Sequence, residues 1–553
     1  MIEHKNISNY AIKFNENYSK FSISFRKNGE ILKNTYVFDL GLKIFVDSIF
    51  RTENFLWLDS VNGVFLNQDE RLRANKVFLY NSDNKTDSLL LEEDDLMYAF
   101  SIKENKNHKL IEIINESLDE SQVILLTEDK ELMQITDKQI KEANCVFISQ
   151  DYIYKYTNKK NDSCFLFQKK IKDTVWKEIF KGIGNIDEVT ETKDYVLVSI
   201  FKDNKTSLKF SFKNNKTWSN ITMNTDVFYS VSFIDTVNLS SNILRFNYSS
   251  LFTPSTSKLY NLDSSCFIKS ENNQFYKSIN KTTYEIELVW VASTADNEMI
   301  PLYLYSKKGI KKEGCLLNVY GAYGARFYPD FSTEDILLLD EGITIAYAGV
   351  RGNSDNGKSW YYKGKLLNKK KSITDLIDCA EFLVESKIVT PEQLAIKGNS
   401  AGGVIVAQAI NLRPSLFQTA ILDHPFLDVL NTMLDSTLSL TTEEYLEWGN
   451  PNIPKYYKYI KSYSPYQNLK KQNYPNMYIT SGFNDNQTPY WQVAKYVAKL
   501  RDLNTSNSKI IFRTDFKGGH TPTGSWEANT SFTATFIIKT ILPSRKAKKT
   551  CMK

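Results

Sequence analysis

The chain has 553 residues, more than one ordinary hydrophobic core accommodates, so two or more domains are expected. Its 42% hydrophobic content is that of a globular protein, and its high aromatic content of 13% suits pleated strands. The 69 Lys and Arg residues nearly balance 64 Asp and Glu residues, and no basic stripe is interleaved with aromatics, which argues against nucleic acid as a partner.

Residues 1–283 are expected to form a β-rich domain. Apolar residues alternate or cluster between turns of Asn, Asp, Gly and Lys, which predicts strands in YAIKFNENYSKFSISFRK, NKVFLYN, YVLVSIFKD, TSLKFSFK and STSKLYNLD. Many even strands with few helices favour a propeller or a pair of sandwiches. At about 40–50 residues per blade, this segment has room for roughly six blades, although no clean repeat is visible.

Residues 284–553 follow a different rhythm, in which short apolar runs alternate with helical patterns. The stretch EIELVWVASTADNEMIPLYLYSKKG predicts a hairpin at the start of this domain. Strands are predicted in GCLLNVYG, ITIAYAGVRG, QLAIKG, TAILDH, NMYITSG and KIIFRTDF, and helices in SITDLIDCAEFLVESKI and PYWQVAKYVAKLRDL. This alternation indicates an α/β domain with a parallel sheet that is covered by helices on both faces.

Ser400 lies between a predicted strand and a predicted helix in LAIKGNSAGGVIVAQAI. A strand, GxSxG and a helix together are typical of a nucleophile elbow, where a tight turn lifts the serine hydroxyl above the sheet. The N–H group of Ala401 would then point at a developing oxyanion near the helix N-terminus. The ordinary alternative is a glycine-rich turn without chemistry, because GxSxG alone is a weak signal.

A nucleophilic serine needs a base, and the order expected in such a fold is Ser, Asp, His. Asp485 follows one predicted strand and His520 follows the next, at the edge where open α/β sheets hold their active sites. The alternative is a turn aspartate and a polar loop histidine, but the chain has only four histidines in all. His424, in LDHPFLD, is a competing base that we assign to the wall of the site.

Other features of the sequence argue against a signal peptide, a membrane span, a disulfide framework and a metal site. The N-terminus lacks the apolar core of a signal peptide, and no run approaches the length of a membrane span. The six cysteines are scattered without a CxxC pair, which predicts reduced thiols in a cytoplasmic protein. Because the histidines are also far apart, no metal site is expected, and the predicted chemistry needs no organic cofactor.

Longer motifs make the chain resemble the prolyl oligopeptidase family of serine peptidases, and within it the oligopeptidase B branch. The similarity runs from about Leu244 to Leu542 and includes YGAYG, KGNSAGG, HPFLDVLNTMLD, TTEEYLEWGNPN and SYSPYQN. The resemblance implies a β-propeller, seven-bladed in the family, that caps an α/β-hydrolase domain. It also implies hydrolysis of short peptides after Arg or Lys.

The resemblance assigns the catalytic triad to Ser400, Asp485 and His520, in agreement with the reasoning from strand ends. It adds the hydroxyl of Tyr320, the first residue of YGAYG, as an oxyanion donor beside the N–H group of Ala401. Because an oxyanion hole needs two donors, this role is preferred over that of a buried aromatic at a strand end.

Three further residues obtain substrate-binding roles from the resemblance. Glu444 corresponds to the acid that binds a cationic P1 side chain, Phe426 to a lining residue of the same pocket, and Asp330 to an acid of the second subsite. Without the resemblance, these residues would be read as a helix-start glutamate, a core phenylalanine and a turn aspartate.

The chain departs from the family pattern at several of these positions. Leu446 replaces a second acid of the P1 pocket, Tyr328 replaces the partner acid of Asp330, and Gln487 replaces an arginine that holds the substrate backbone. The chain is also expected to begin late, without the N-terminal extension of the family and with a shortened propeller. We therefore expect peptidase chemistry with a weaker or broader preference for basic P1 residues. Glu443 and Glu447 are candidates to compensate for the missing acid.

The leading hypothesis is a cytoplasmic serine oligopeptidase, monomeric or homodimeric, that acts on short peptides. One alternative is an esterase or an aminopeptidase-like relative on the same scaffold, which peptides with blocked and free N-termini would distinguish. Another is a non-catalytic binding protein with a decayed hydrolase domain. Labelling by a fluorophosphonate would separate that alternative, because only an activated serine reacts readily.

Overall fold

The computed structural model describes residues 7–27, 32–105, 110–138, 143–149, 151–159, 161–171, 173–202, 205–213, 215–223, 228–234, 240–268, 281–523 and 526–542. The chain divides into two compact units. Unit 1 comprises Met1–Gly182 and Thr432–Leu446, and unit 2 comprises Ile183–Asn431 and Glu447–Lys553. The predicted boundary between residues 283 and 284 stays a prediction.

Unit 1 contains four-stranded antiparallel sheets in which neighbouring strands follow one another along the chain. The strands are β1 (Ile7–Phe14), β2 (Lys20–Lys27), β3 (Asn34–Asp39), β4 (Ile44–Ile49), β5 (Thr52–Trp57), β6 (Asn62–Gln68), β7 (Ala74–Asn81), β8 (Thr86–Glu92), β9 (Ala99–Asn105), β10 (Leu110–Glu116), β11 (Ser121–Leu126), β12 (Leu132–Gln134), β13 (Ala143–Ile148), β14 (Tyr152–Asn158), β15 (Ser163–Lys170) and β16 (Lys177–Ile183). They form the sheets β1–β4, β5–β8, β9–β12 and β13–β16.

Apolar side chains join consecutive sheets of unit 1. Val64 and Val77 of the second sheet lie in one buried cluster with Ile111 and Ile113 of the third sheet. Strand β15 alternates buried and half-buried residues, as expected for a strand with one face in the core. This meander of short strands agrees with the β-rich half that the sequence predicts.

The segment Thr432–Leu446 is attached to the strands of unit 1 by hydrogen bonds. The Arg71 Nε group donates to the Ser436 carbonyl oxygen at 2.7 Å, and the Thr442 hydroxyl donates to the Leu96 carbonyl oxygen at 3.1 Å. A stretch from the second half of the sequence therefore belongs to the same compact unit as the first strands.

Glu443, within this segment, provides a prediction about pH. Burial raises the pKa of its carboxyl to about 7, although nearby Arg73 lowers it. The folded chain therefore keeps Glu443 protonated at pH values where the unfolded chain, with an ordinary value of 4.5, has lost the proton. The stabilising effect of this raised pKa is fully present below pH 4.5 and is lost as the pH rises through about 7.

We expect Glu443→Gln, which stays neutral, to have the stability of the unmodified chain near pH 4 and to exceed it by about 2 kcal/mol near pH 8. Urea denaturation of both proteins at a series of pH values measures this difference. Glu70→Gln makes the same chemical change at an exposed side chain and serves as the control. A difference for Glu443→Gln that does not change with pH would contradict the assignment.

Unit 2 contains two further four-stranded antiparallel sheets and one sheet of eight strands among its described residues. The four-stranded sheets consist of β17 (Asn185–Glu191), β18 (Tyr195–Lys202), β19 (Lys205–Phe212) and β20 (Ser219–Ile221), and of β21 (Ser230–Phe233), β22 (Ile243–Ser250), β23 (Thr253–Asn261) and β24 (Cys266–Ile268). Leu197 and Leu208 of the first sheet share a buried cluster with Phe246 and Tyr248 of the second.

The eight-stranded sheet has the order β25-β26-β28-β27-β29-β30-β31-β32. Its strands are β25 (Tyr284–Ala292), β26 (Met299–Lys307), β27 (Gly314–Val319), β28 (Ile343–Ala348), β29 (Leu394–Asn399), β30 (Thr419–Asp423), β31 (Asn476–Gly482) and β32 (Ile510–Asp515). The predicted hairpin is confirmed, since β25 and β26 pair antiparallel. In the order of the sheet, β28, β27, β29, β30, β31 and β32 pair in parallel, each with its neighbour in this series.

Helices connect these strands. They are α1 (Thr333–Asp340), α2 (Lys358–Tyr362), α3 (Lys370–Glu385), α4 (Gly402–Leu412), α5 (Val429–Leu434), α6 (Tyr445–Trp448), α7 (Pro454–Lys461), α8 (Tyr490–Leu503) and α9 (Trp526–Ile541). The buried stripe Ile373, Leu376, Ala380 and Leu383 has helical spacing, which explains why α3 forms and packs. Helices α1 and α9 share a buried cluster with β26, β28 and β30.

The fold therefore agrees with the predicted combination of propeller-like four-stranded sheets and an α/β sheet. The number of blades stays a prediction. In the described part of the chain, no helix is both long enough and apolar enough to span a membrane. Within the same residues, no three His, Cys, Asp or Glu side chains are grouped so that they could hold a metal ion.

Candidate active site

Ser400 lies on the sharp turn between β29 and α4 and has a backbone φ of 49°. This left-handed conformation is rare for a residue with a side chain, and it is typical of a nucleophile elbow. Glycines permit the turn, because a Cβ atom on Gly398 would lie 2.6 Å from the Gly402 carbonyl oxygen, and one on Gly402 would lie 2.7 Å from the Val319 carbonyl oxygen. The glycines around Ser400 are thus required by close backbone approach.

The segment that follows β30 holds this turn through two backbone hydrogen bonds. The Ser400 N–H group donates to the Asp423 carbonyl oxygen, and the Phe426 N–H group donates to the Ser400 carbonyl oxygen, both at 2.9 Å. The conformation of residues 423–426 therefore fixes the backbone of Ser400.

The structure brings Ser400, Asp485 and His520 together. The His520 Nε2 atom lies 3.1 Å from the Ser400 hydroxyl oxygen, and its Nδ1 atom lies 2.8 Å from Asp485 Oδ2. The carboxylate is fully buried, whereas 22% of the imidazole is exposed. These distances are those of a serine next to a general base that is oriented by a carboxylate.

The carboxylate of Asp485 is held by the loop that carries it. Its Oδ1 atom accepts hydrogen bonds from the N–H groups of Gln487 and Thr488, each at 2.9 Å, and the Thr488 hydroxyl lies 2.9 Å from Oδ2. Burial alone would raise the pKa of this carboxyl, but the hydrogen bond and charge attraction of His520 and the backbone N–H groups lower it below the ordinary value. Asp485 is therefore held in its ionised form.

Both predicted oxyanion donors lie at the same edge of the sheet. Strand β27 pairs in parallel with β29, with Val319 opposite Gly398, so Tyr320 and Ser400 follow neighbouring strands. Ala401 directly precedes α4, where helix N–H groups are directed at the turn. The oxyanion roles of Tyr320 and Ala401 stay predictions.

Phe426 is buried next to Ser400. Its ring packs edge to face on Trp448 at a centroid distance of 5.4 Å. The Trp448 ring is itself fully buried, and its Nε1 group donates to the Tyr323 hydroxyl at 3.1 Å. Sequence reasoning missed Trp448 and Tyr323, although both lie within the motifs EWGNP and YGAYG.

A buried ion pair supports the turn that follows Tyr320. The Lys369 ammonium group lies 2.6 Å from the Glu447 carboxylate and 3.0 Å from the Gly321 carbonyl oxygen, and both charged side chains are fully buried. The Tyr361 hydroxyl donates to the other oxygen of Glu447 at 2.8 Å. Glu447 is thus engaged inside the domain and does not replace the missing acid of the P1 pocket.

Asp330 and its neighbours contact the four-stranded sheets of unit 2. The Ser230 hydroxyl donates to Asp330 Oδ1 at 2.5 Å. Arg326 forms a bidentate ion pair with Asp187 at 2.9 and 2.5 Å, and its guanidinium group lies 4.9 Å from the centroid of the exposed Tyr328 ring. The second-subsite role of Asp330 stays a prediction, and the Arg326–Asp187 ion pair was not foreseen from the sequence.

The two remaining predicted residues lie in different parts of the fold. Gln487 lies two positions after Asp485, and its side chain is exposed. Glu444 lies in the Thr432–Leu446 segment of unit 1, where its N–H group donates to the Leu440 carbonyl oxygen at 2.9 Å. Their substrate-binding roles stay predictions.

His424, the competing base, is buried beside the predicted triad. Its ring centroid lies 6.0 Å from that of His520, and its Nδ1 atom lies 2.9 Å from Asp423 Oδ1. The serine hydroxyl is hydrogen-bonded to His520, which agrees with the assignment of His424 to the wall of the site.

Comparison with known proteins shows that this fold is similar to that of peptidases. Residues 329–537 match the profile of the prolyl oligopeptidase family. The structure of oligopeptidase B from Leishmania major aligns with a TM-score of 0.88 and 25% identity, over 98% of this chain and 80% of that chain. The matched segment belongs to the prolyl oligopeptidase family, and the fold is similar to that of oligopeptidase B.

Two curated relatives cover different parts of the sequence. Dipeptidyl aminopeptidase BI of Pseudoxanthomonas mexicana is 38% identical over 296 residues, which are 53% of this chain and 41% of the relative. Protease 2 of Moraxella lacunata is 28% identical over 470 residues, which are 82% of this chain and 66% of the relative. The matched regions thus span less than two thirds of either relative.

Proposed function

We propose that this chain is a serine oligopeptidase in which Ser400 is the nucleophile, His520 the general base and Asp485 the residue that orients the imidazole. The observation that supports this proposal most strongly is that His520 lies 3.1 Å from the Ser400 hydroxyl and 2.8 Å from the buried Asp485 carboxylate. The match of residues 329–537 to a peptidase family supports the same reaction.

In the acylation step, the Ser400 oxygen attacks the scissile carbonyl carbon while His520 Nε2 takes the hydroxyl proton. The ionised Asp485 stabilises the resulting imidazolium through Nδ1. The carbonyl oxygen becomes an oxyanion, which the Ala401 N–H group and the Tyr320 hydroxyl are proposed to stabilise. The C–N bond then breaks, and the imidazolium returns the proton to the leaving amine.

In the deacylation step, water attacks the acyl ester of Ser400, and His520 takes a proton from that water. Collapse of the second tetrahedral intermediate breaks the ester bond, and the proton returns to the serine oxygen. The product is a peptide with a new carboxyl terminus. Apart from the substrate, the reaction consumes only water.

We further propose a weakened or broadened preference for Arg and Lys at P1. Glu444 is the acid expected to bind the cation, and Leu446 supplies no second charge. At the second subsite, Tyr328 supplies no acid beside Asp330. The preference for basic residues therefore depends on fewer acids than the family pattern supplies.

Turnover of a fluorogenic benzyloxycarbonyl-Arg-Arg substrate by the purified chain tests the proposal. We expect hydrolysis that falls by at least about 10⁴-fold in Ser400→Ala, since nucleophile and base act as a unit. Ser415→Ala, on the surface after α4, provides the matched control and is expected to retain full activity. Turnover that persists in Ser400→Ala would rule out the proposed nucleophile.

The second candidate is an aminopeptidase-like activity, favoured by the similarity to a dipeptidyl aminopeptidase over half of this chain. Such an activity needs a free substrate N-terminus, whereas an oligopeptidase accepts a blocked one. Parallel assays with free and blocked forms of one Arg-Arg substrate distinguish the two. Faster turnover of the blocked form supports the oligopeptidase.

A further inference from the structure

A second imidazole–carboxylate pair lies beside the proposed triad, and the mechanism above does not use it. The His424 side chain is 6% exposed, and its Nδ1 atom lies 2.9 Å from Asp423 Oδ1. The Thr480 hydroxyl is hydrogen-bonded to the same carboxylate oxygen and accepts the His424 N–H group at 3.2 Å. These bonds fix both the backbone and the ring of His424.

His424 packs against the catalytic base. The ring centroids of His424 and His520 are 6.0 Å apart, and the ring planes meet at 74°, which is an edge-to-face contact. The Thr488 hydroxyl joins the two sites, because it lies 2.9 Å from both the His424 carbonyl oxygen and Asp485 Oδ2. A fixed ring thus touches the imidazole that must keep its Nε2 atom at the serine hydroxyl.

His520 needs a contact that restrains its ring. His520 is carried by a loop after β32, the last strand of the sheet order, and Phe516 in that loop is 70% exposed. An imidazole on an exposed loop loses orientation unless neighbours restrain its ring. Ser400 and Asp485 are hydrogen-bonded to the two nitrogen atoms of the His520 ring. His424 packs against the ring itself and restrains its plane.

The position of His424 is costly for the fold. Its backbone φ of 45° is rare outside glycine, and its Nε2 atom is buried without a hydrogen-bond partner among the described residues. His424 also lies between Asp423 and Phe426, whose backbone groups hold the Ser400 turn. A smaller apolar residue would avoid the cost of the buried nitrogen, so the imidazole is better explained by a role at the site.

We infer that His424, held by Asp423, is a positioning residue that orients the His520 imidazole through ring contact. The inference rests on the proposed function and extends it to a residue that does not itself touch the reacting atoms. Removal of the ring is expected to lower the reactivity of Ser400 without weakening substrate binding, because the ring contact is made with the base.

The test compares His424→Ala with His424→Phe, which keeps an aromatic ring. The rate constant for labelling of Ser400 by a fluorophosphonate, and kcat and KM for the Arg-Arg substrate, are measured for the folded fraction. In His424→Ala, we expect a labelling rate and a kcat lower by about 10-fold to 100-fold with nearly unchanged KM, and in His424→Phe most of both rates restored.

Further variants keep the test decisive. Leu500→Ala creates a cavity beneath α8 and controls for general destabilisation. This variant is expected to retain the labelling rate of Ser400. If His424→Phe does not fold, His424→Gln replaces it; Gln keeps a donor for Asp423 but has no ring, so a slow rate is expected. Full reactivity of His424→Ala or His424→Gln, or a slow folded His424→Phe, would overturn the inference.

Failure of the inference is distinguishable from failure of the proposed function. If the unmodified chain is not labelled at Ser400, the proposed peptidase mechanism itself is wrong. If the unmodified chain is labelled and His424→Ala reacts equally fast, the mechanism stands and only the role of His424 is rejected.

Discussion

Replacing Asp485 with Asn is expected to lower kcat by about 10⁴-fold while the chain remains folded. The carboxylate accepts the Nδ1 proton of His520 and the N–H groups of Gln487 and Thr488. Asn has one acceptor oxygen, which the two backbone N–H groups retain. Its amide group then faces Nδ1 as a donor and favours the tautomer that cannot accept the serine proton.

The measurement is steady-state hydrolysis of the Arg-Arg substrate by Asp485→Asn, with circular dichroism to verify folding. Asp502→Asn makes the same chemical change at an exposed site on α8 and is expected to leave kcat unaltered. A kcat for folded Asp485→Asn within about 10-fold of the unmodified value would exclude this carboxylate as the residue that orients the base.

The second large effect concerns stability. Glu447→Gln is expected to lower the free energy of unfolding by about 3–5 kcal/mol, because it leaves the Lys369 ammonium buried without a counter-charge. Burial lowers the pKa of Lys369, and the attraction of Glu447 opposes that shift. Since Lys369 also donates to the Gly321 carbonyl oxygen, the variant is expected to lower kcat through the turn after Tyr320.

Urea denaturation compares Glu447→Gln with Glu298→Gln. Glu298 pairs with Lys363 at the same distance of 2.6 Å, but both side chains are at least 40% exposed. Its replacement is expected to cost less than about 1 kcal/mol. Lys369→Met combined with Glu447→Gln should recover part of the loss, because no unpaired charge remains. Equal losses for the buried and the exposed pair would refute this account.

The alternation of strands and helices and the candidate site residues could be predicted because both leave local marks in the sequence. Short apolar runs and helical spacing identified β27 to β32 and the helices α3, α4 and α8. The prediction for Asp485 and His520 needed only the rule that parallel strands end at one edge. Ser400 was marked by glycines, and the structure shows why other residues would collide there.

The residues that escaped prediction interact over long sequence distances. Lys369 and Glu447 are separated by 78 positions, and Arg326 pairs with Asp187 across 139 positions. Periodicity cannot register such partners, because each residue alone reads as an ordinary surface charge. For the same reason, Glu447 was considered as a substrate-binding acid, although its carboxylate is fully buried against Lys369.

The unusual geometry of His424 was also beyond the reach of sequence patterns. Its sequence context, a strand end followed by proline, predicted a wall residue and nothing about its ring. The contact with His520 follows from the φ of 45° and from the bond to Asp423, which only coordinates reveal. The number of blades could not be predicted from the sequence either. Neighbouring sheets share an alternation of apolar and polar residues but no repeated motif.

The most direct test is to treat the native chain with a fluorophosphonate and locate the adduct by tandem mass spectrometry. We expect one modified residue, Ser400, and loss of labelling in folded His520→Ala, since that imidazole is proposed to remove the hydroxyl proton. An unlabelled native chain, an adduct on another serine, or undiminished labelling without His520 would contradict the claim that these side chains form a working hydrolytic centre.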